Sequence, residues 1–404
     1  MISAAHHYDV VIAGAGPAGT SAAIYLAVAG ARVLLAEEKK FPRPKLCGEF
    51  ISPECLTRFE QLGVAQEMMS SGGAYLGETV FYSRGGRSVS VPSQWFGGRE
   101  GALGLSRAEM DNNLLERAKS VGVKVLEQTQ ASNLLIEGNQ VRGVQLRSGA
   151  ALGEYGALVT IDATGRKRAL ARRLDQKRSR PKSNSRPSLV AFKTHLNDAR
   201  LADRTCEIYF YQGGYGGLST VEDGLSNLCF IVSARDVRRF DSEPEKVMRE
   251  VVLKNSRAAH TLFYARARTE WLSVSLESFG RHTLVPRHGL LTIGDAASFI
   301  DPFTGSGMLM ALESGALAAQ VIIRSLEKLK SGESFESVAR EYQREYAEKF
   351  NVRLRTCEIL RRAAFIPGLS EAAILFFAGS DRLRRRLARA TRHSSTRVTV
   401  SPDS

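Results

Sequence analysis

Three glycines near the start of the chain have the spacing of a phosphate-binding turn. Gly14, Gly16 and Gly19 follow an apolar segment, residues 8–13, and precede a helix of small residues that also contains Ala18. In such a strand–turn–helix unit the first glycine permits the tight turn, the second lets the backbone approach a pyrophosphate, and the third allows helix and strand to pack closely. The helix start offers N–H groups and a positive dipole end to the phosphates. The motif therefore predicts a dinucleotide site.

An acidic residue ends the next predicted strand. A helix over residues 20–29 stops at Gly30, and the strand that follows covers residues 32–37. At this position in a βαβ unit a carboxylate accepts hydrogen bonds from ribose hydroxyls. Glu38 is the neighbouring candidate, but strand alternation and position favour Glu37.

A second segment with cofactor-binding character lies near residue 295. A buried strand over residues 290–293 runs into Gly294 and Asp295, and a glycine-rich turn then precedes a helix over residues 307–326. Asp295 is suited to accept hydrogen bonds from the hydroxyls of a cofactor's sugar chain. The backbone N–H groups of residues 305–308 are suited to stabilise negative charge on a cofactor ring.

The remaining pattern predicts the elements that must hold these segments. A helix over residues 106–118 starts with a capping box. Strands are predicted over residues 121–126, 131–136, 140–147 and 158–163, and a strand-rich stretch over residues 188–281. The basic, serine-rich residues 166–187 are interpreted as a loop between lobes, and the chain from residue 334 onward as helical and basic.

Composition narrows the class of protein. The 404 residues are 43% hydrophobic and 24% charged, which is ordinary for a globular chain, while the net charge of +14 favours anionic ligands or surfaces. Five scattered cysteines without a C-x-x-C pair argue against a disulfide framework and a zinc ribbon. The first residues lack a signal-peptide pattern, and no apolar run is long enough to span a membrane. We therefore expect a cytoplasmic protein.

Four motifs in fixed order resemble those of one flavoprotein family. They are GAGPAG at residues 14–19, FPRPKLCGEFISP at 41–53, DATGR at 162–166 and GDAASFIDPFTGSGM at 294–308. Together they are similar to the geranylgeranyl reductase-like branch of the p-hydroxybenzoate hydroxylase-fold flavoproteins, over residues 8–325. The resemblance implies an α/β fold with a Rossmann-type FAD-binding domain, a strand-rich substrate domain and a C-terminal helical region.

The resemblance also implies roles for individual residues. Pyrophosphate and ribose would be held by Gly14, Gly16, Gly19 and Glu37. Further residues are expected to contact FAD, and they are Ala18, Arg43, Cys47, Gly48, Arg107, Asp295, Pro302, Gly305, Ser306, Gly307 and Met308. Cys47 is also a candidate reactive thiol, although a small buried cysteine is the commoner reading. Gly217 stands where the family's Gly-Tyr-Gly-Trp hairpin has its tryptophan.

The family resemblance leaves two main reactions open. NADPH or NADH is expected to reduce the flavin, although a separate electron donor is an alternative. The enzyme then reduces carbon–carbon double bonds of a small hydrophobic, isoprenoid-like substrate, or it uses O2 to hydroxylate an aromatic or polyketide-like compound. A non-catalytic flavin-binding or membrane-docking protein is a further alternative. Halogenation is disfavoured, because no lysine lies between Lys45 and Lys119 and no Trp-x-Trp-x-Ile-Pro segment is present.

Domain boundaries and partners complete the prediction. The FAD-binding domain is expected in three parts, residues 1–74, 101–187 and 285–330. Substrate-domain strands occupy 75–100 and 188–284, and the basic helical region occupies 331–404. Apolar residues 372–378 followed by the arginine-rich residues 382–392 suggest peripheral contact with an anionic membrane. No nucleic-acid module is evident, so no nucleic-acid partner is expected.

Overall fold

The computed structural model describes residues 7–96, 101–178, 188–277, 279–301, 305–364 and 368–390. The strands are β1 (His7–Ala13), β2 (Val33–Ala36), β3 (Phe50–Ile51), β4 (Ala74–Leu76), β5 (Glu78–Tyr82), β6 (Ser88–Pro92), β7 (Ala102–Gly104), β8 (Lys124–Leu126), β9 (Gln130–Glu137), β10 (Gln140–Ser148), β11 (Ala151–Asp162), β12 (Leu189–Asn197), β13 (Thr205–Tyr211), β14 (Gly214–Thr220), β15 (Ser226–Ser233), β16 (Arg266–Ala267), β17 (Leu272–Leu276), β18 (Gly280–Arg281), β19 (Leu290–Thr292) and β20 (Ser298–Phe299). The helices are α1 (Pro17–Val28), α2 (Pro53–Leu62), α3 (Ala65–Ser70), α4 (Arg107–Ser120), α5 (Ala171–Arg178), α6 (Ala234–Arg239), α7 (Pro244–Val251), α8 (Ser256–Thr261), α9 (Gly307–Lys330), α10 (Glu336–Ala364), α11 (Leu369–Ala378) and α12 (Asp381–Ala390).

The first sheet holds the predicted dinucleotide unit. Its order is β8–β2–β1–β11–β10–β9, with β19 also paired to β11. Strands β1, β2, β8 and β19 run parallel to their neighbours, whereas β9 and β10 form an antiparallel arm. Because the carboxyl ends of the parallel strands meet at one edge, the turn after β1 lies beside the ends of β2 and β11.

Helix α9 packs against α1 through small residues. A Cβ added at Gly315 would lie 2.2 Å from the carbonyl oxygen of Ala18, so only glycine permits this approach of the two helices. Among the described helices, α9 alone is long and apolar enough to cross a membrane, but 78% of its most apolar window is buried inside the structure. In this fold α9 is a core helix.

The second sheet forms the strand-rich domain. Its order is β16–β12–β15–β14–β13–β5–β6, with β17 paired to β12, and only the pairing of β13 with β5 is parallel. One face packs on α6, α7 and α8 in a cluster around Phe230 and Val247. The other face, around Phe210 and Ile231, turns toward the first sheet's cofactor edge.

The structure confirms the predicted fold class and corrects one segment. Residues 166–187, predicted as a loop, include helix α5, while residues 179–187 lie outside the described residues. Asp162 explains the helix, because its carboxylate accepts hydrogen bonds from the backbone N–H groups of Leu170 (3.0 Å) and Ala171 (2.9 Å). Side-chain acceptors of this kind stabilise a helix start in a sequence with little apolar content.

Candidate functional site

The three glycines of the turn after β1 have different reasons to be glycine. Gly14 has a φ of +103°, and a Cβ there would lie 2.4 Å from the carbonyl oxygen of Ala163. A Cβ on Gly19 would lie 1.9 Å from the carbonyl oxygen of Gly14. A Cβ on Gly16 would meet only the Arg107 Nη2 atom, at 4.0 Å. The chain itself requires Gly14 and Gly19, whereas the space beside Gly16 is a cradle that only a ligand would fill.

Glu37 lies at the end of β2, next to this cradle. It is buried, and its carboxylate accepts hydrogen bonds from the backbone N–H groups of Ala15 (2.9 Å) and Lys39 (3.1 Å). Glu38 also lines the cavity, but it is exposed and pairs with Lys167 at 2.5 Å. Glu37, which the sequence favoured over Glu38 as the ribose-binding residue, is therefore the one that faces the turn.

Two buried arginines supply positive charge near Glu37 and the turn after β1. Arg107 donates to both carboxylate oxygens of Asp111, at 2.8 and 2.7 Å. Burial would lower the pKa of Arg107, but the charge and hydrogen bonds of Asp111 outweigh it and raise that pKa. Arg43 lies 3.5 Å from Glu37 and 3.3 Å from Asp111, and its Nε and Nη1 atoms have no hydrogen-bond partner among the described residues. These two nitrogen atoms are ion-paired with carboxylates but form no hydrogen bond within the described residues, so an anionic ligand would complete their hydrogen bonding.

Asp295 follows β19 and faces the same cavity. Burial raises the pKa of its carboxyl group, while the positive charges of Arg166, Lys45 and Arg107 oppose that rise. Burial also lowers the pKa of Lys45, as do the neighbouring charges of Arg43 and Arg107. Asp295 thus lies among several cations of the cavity wall.

One cavity of about 640 Å³ joins the polar end to an apolar end. The polar end is lined by the turn after β1, Glu37 and the loop over residues 43–49. The apolar end is formed by the second sheet and by the C-terminal helices, and its walls include Phe81, Ala191, Phe210, Ile231, Leu276 and Ile374. Cavities of this size and apolar character are typical of small-molecule sites.

A buried ionic cluster fixes the loop over the cavity to the second sheet. Glu49 is fully buried and has a φ of +53°, which is strained for a residue other than glycine. Its carboxylate accepts hydrogen bonds from Lys193 Nζ (2.6 Å), His195 Nε2 (2.6 Å) and the backbone N–H of Arg107 (2.9 Å). Burial would raise the pKa of Glu49, but the His195 hydrogen bond and the Lys193 charge lower it.

Three cysteines line the cavity, and their surroundings differ. Burial raises the pKa of Cys206 to about 12, and it also raises the pKa of Cys229. These two thiols form part of an apolar wall. Cys47 is only partly buried, its Sγ accepts from the Glu49 N–H at 3.5 Å, and it interacts with Arg107.

Most residues singled out in the sequence lie around this cavity. Its wall includes Gly14, Gly16, Ala18, Glu37, Arg43, Cys47, Gly48, Arg107, Asp295, Gly305, Gly307 and Met308. Gly19 and Ser306 are buried just behind it, in α1 and before α9. Pro302 lies outside the described residues.

The match to a family model decides the class of the protein. The model of the FAD binding domain matches residues 7–347, a span that contains both cofactor segments. The chain belongs to this FAD-binding family. The flavoprotein is an FAD-dependent oxidoreductase, and its glycine cradle, buried arginines and Glu37 fit the adenosine diphosphate part of FAD.

Curated relatives of the flavoprotein include several reductases. A digeranylgeranylglycerophospholipid reductase from Methanosarcina acetivorans is 27% identical over 350 residues, covering 84% of this chain and 81% of the relative. A menaquinone reductase from Mycolicibacterium smegmatis is 27% identical over 335 residues, covering 78% of this chain and 76% of the relative. The recognised similarity to geranylgeranyl reductase-like flavoproteins is confirmed.

Solved structures share the fold but span several reactions. A geranylgeranyl bacteriochlorophyll reductase-like protein from Thermoplasma acidophilum superposes with a TM-score of 0.77 at 19% identity, covering 96% of this chain and 97% of that one. The flavin-dependent brominase Bmp2 superposes with a TM-score of 0.79 at 18% identity, covering 95% and 94%. At this identity the likeness shows the fold of the flavoprotein and leaves its reaction open.

Replacing Asp295 with alanine is expected to weaken FAD binding by about tenfold to a hundredfold, because one charged hydrogen-bond acceptor is lost. The chain should stay folded, since Asp295 accepts no hydrogen bond within the described residues that holds an element in place. Flavin fluorescence titration measures the affinity, with Asp295→Asn as the conservative variant. Unchanged affinity of Asp295→Ala would assign the contact to another residue.

Several site residues were not singled out in the sequence. Glu49 lies within a recognised motif, but its partners Lys193 and His195 are on β12, more than 140 positions away. A lysine and a histidine two apart in an otherwise apolar strand were the available signal, because alternate residues share one face. Arg166 and Lys45, in two quoted motifs, also line the cavity.

Proposed function

We propose that the flavoprotein uses FAD to reduce carbon–carbon double bonds of a small hydrophobic, isoprenoid-like substrate, with NADPH or NADH as the reductant. The observation that carries this proposal is the continuous cavity, whose polar end suits the cofactor and whose apolar end suits a hydrocarbon chain. Two relatives named as reductases support the same reaction class. The predicted FAD-contacting residues and the domain boundaries belong to this proposal.

Different side chains along the cavity would bind different parts of FAD. Gly16 would admit the pyrophosphate, and Arg43 and Arg107 would neutralise it, because Asp111 holds both arginines in place. Glu37 would accept ribose hydroxyls, and Asp295 those of the ribityl chain. When bound, FAD supplies hydride transfer to one alkene carbon, while the other receives a proton from water or a side chain.

The apolar walls would select and orient the substrate. Phe210, Ile231 and Leu276 line the far end of the cavity, where a hydrocarbon chain would gain about 0.8 kcal/mol for each buried methylene group. The sheet presents these residues on one face, because alternate side chains of a strand point the same way. A rigid wall of this kind would hold an alkene in a fixed position relative to the cofactor.

Replacing Gly217 with tryptophan should lower the activity of the enzyme on long-chain substrates. Gly217 lines the cavity, and a Cβ there would lie 3.1 Å from Cδ1 of Ile208, so a large ring would occupy space open to the substrate. We expect FAD binding to be kept and kcat/KM for long-chain substrates to fall about tenfold or more. Leu152→Trp, on the exposed part of β11, is the matched control. Unchanged kinetics of Gly217→Trp would place the substrate elsewhere.

Oxygen consumption separates this proposal from its main alternative, hydroxylation with O2. The purified enzyme would be supplied with NADPH and a geranylgeranyl-bearing lipid in an oxygen-electrode cell, and the product analysed by mass spectrometry. A reductase yields a product that is heavier by two hydrogen atoms for each double bond reduced, with no stoichiometric oxygen uptake. One O2 consumed for each hydroxylated product would replace the reductase assignment with a monooxygenase. A repeat with added bromide tests halogenation, since Lys45 lines the cavity.

A further inference from the structure

Helix α11 separates the apolar end of the cavity from an exposed apolar surface. Ala373, Ile374 and Phe377 line the cavity on its inner side. On its outer side Leu375 is 52% exposed and Phe376 is 64% exposed. Large apolar side chains exposed next to each other are uncommon on a surface that meets only water. The outer side of α11 therefore offers large apolar side chains to a contacting surface.

Helix α12 follows α11 in the chain, contacts it and carries positive charge. Its sequence holds five arginines and one aspartate, DRLRRRLARA. Arg384 faces inward, where it donates to the carbonyl oxygen of Ser90 at 2.7 Å and lies over the Trp95 ring at 5.7 Å. Arg382 and Arg386 are exposed and one helical turn apart, and Leu383 between them is 38% exposed. The helix is thus anchored on one side and presents arginines on another.

We propose that the outer sides of α11 and α12 dock on an anionic lipid bilayer, with Leu375 and Phe376 entering the interface and Arg382 and Arg386 contacting lipid phosphates. A bilayer satisfies both features at once, because apolar side chains insert at the headgroup boundary while nearby basic residues attract anionic lipids. Docking itself does not depend on the proposed function. One consequence does rest on it: a docked α11 would lie between the bilayer and the cavity that receives a lipid-like substrate.

The position of α11 gives the docked enzyme a short route for its substrate. Leu360 on α10 also lines the cavity, and its neighbour Ile359 is 67% exposed. In the docked enzyme, α10 and α11 would form the wall between the bilayer and the cavity, because each helix has residues that line the cavity next to residues that are exposed. A hydrocarbon chain would pass between helices without crossing water.

Vesicle co-sedimentation tests the docking without any substrate. The full chain loaded with FAD would be mixed with vesicles of phosphatidylcholine alone, or of phosphatidylcholine with phosphatidylglycerol. We expect binding to the anionic vesicles that weakens about tenfold or more in the L375S/F376S variant. Exchange of Arg382 and Arg386 for glutamine should weaken it about fivefold for each arginine.

Matched controls keep the result specific to this surface. Phe263→Ser removes a phenylalanine that is 72% exposed next to α8, and Arg340→Gln with Arg344→Gln removes two exposed charges from α10. Both controls should bind vesicles as the unmodified chain does. FAD content, read from the visible spectrum, should be the same in all variants because the changed side chains are exposed.

Three results would overturn the proposal. They are a chain that ignores anionic vesicles, an L375S/F376S variant that binds them as tightly as the Phe263→Ser control, and a lipid-free dimer that L375S/F376S dissociates. The last result would assign the surface to a second copy of the chain. Reduction of a detergent-dispersed lipid is measured separately, so a failed docking test and a failed reductase assignment give different results.

Discussion

Replacing Gly16 with valine is expected to produce a folded chain that has lost its FAD. A Cβ at Gly16 meets no atom nearer than 4.0 Å, so the chain alone has room for the new side chain. The same space is needed for the pyrophosphate to approach the backbone at the start of α1. Overpacking of this contact should lower FAD affinity by about two orders of magnitude.

The glycine series separates a cofactor effect from a folding effect. Gly85→Val is the matched control, since a Cβ at Gly85 lies 3.9 Å from Glu371 and outside the cavity. Gly19→Ala should destabilise the chain even without FAD, because its Cβ would overlap the carbonyl oxygen of Gly14. Flavin fluorescence gives the affinity, and circular dichroism gives the folded fraction. A yellow, fully loaded Gly16→Val protein would contradict the assignment of this turn.

Replacing Glu49 with glutamine should cost about 3–5 kcal/mol of folding free energy. The change leaves Lys193, whose side chain is 3% exposed, without the carboxylate that balances its charge. It also replaces one of the two carboxylate oxygens by an NH2 group, so Lys193 and His195 no longer each have an acceptor oxygen. Because Glu49 connects the loop over residues 43–49 with β12, the lost ion pair should also loosen that loop. Urea unfolding of the apo chain measures the loss.

Two comparisons make the Glu49 prediction specific. Glu38→Gln breaks a surface ion pair with Lys167 and should cost only about 0–1 kcal/mol. The double variant Glu49→Gln with Lys193→Met removes both charges, and it should recover much of the lost stability. An equal effect of Glu49→Gln and Glu38→Gln would show that the buried cluster does not stabilise the fold.

The Glu49 cluster also predicts a pH dependence. The pKa of Glu49 is lower in the folded chain than the ordinary value, so the unfolded chain takes up the proton more readily. Its contribution to stability is therefore present above pH about 4.3 and is lost as the pH falls through the folded pKa. Unfolding curves from neutral to acid pH should show a smaller acid-side loss for Glu49→Gln than for the unmodified chain.

Local patterns in the sequence predicted the cofactor half of the molecule. The turn after β1, the acidic end of β2 and the segment after β19 are each readable within one strand–turn–helix unit, because their chemistry needs particular residue types at short spacing. The order of the motifs then pointed to the fold class. Strand alternation favoured Glu37 over Glu38, and the structure places Glu37 next to the turn.

The features that could not be predicted depend on contacts between residues that are far apart in the sequence. The partners of Glu49 come from β12, and the wall of the apolar end combines β5, β13, β15 and α11, which no local pattern relates to one another. Helix α5 was missed because its composition is polar and its start depends on the tertiary position of Asp162. The space beside Gly16 likewise becomes visible only when the neighbouring elements are in place.

The most direct test of the central claim is the visible spectrum of the FAD-loaded enzyme in the absence of oxygen. The flavin is first reduced with dithionite, which bleaches its band, and a digeranylgeranylglycerophospholipid is then added. We predict that the oxidised flavin band returns in proportion to the double bonds that become saturated, with no oxygen present. A band that stays bleached until air is admitted, followed by a hydroxylated product, would contradict the reductase assignment.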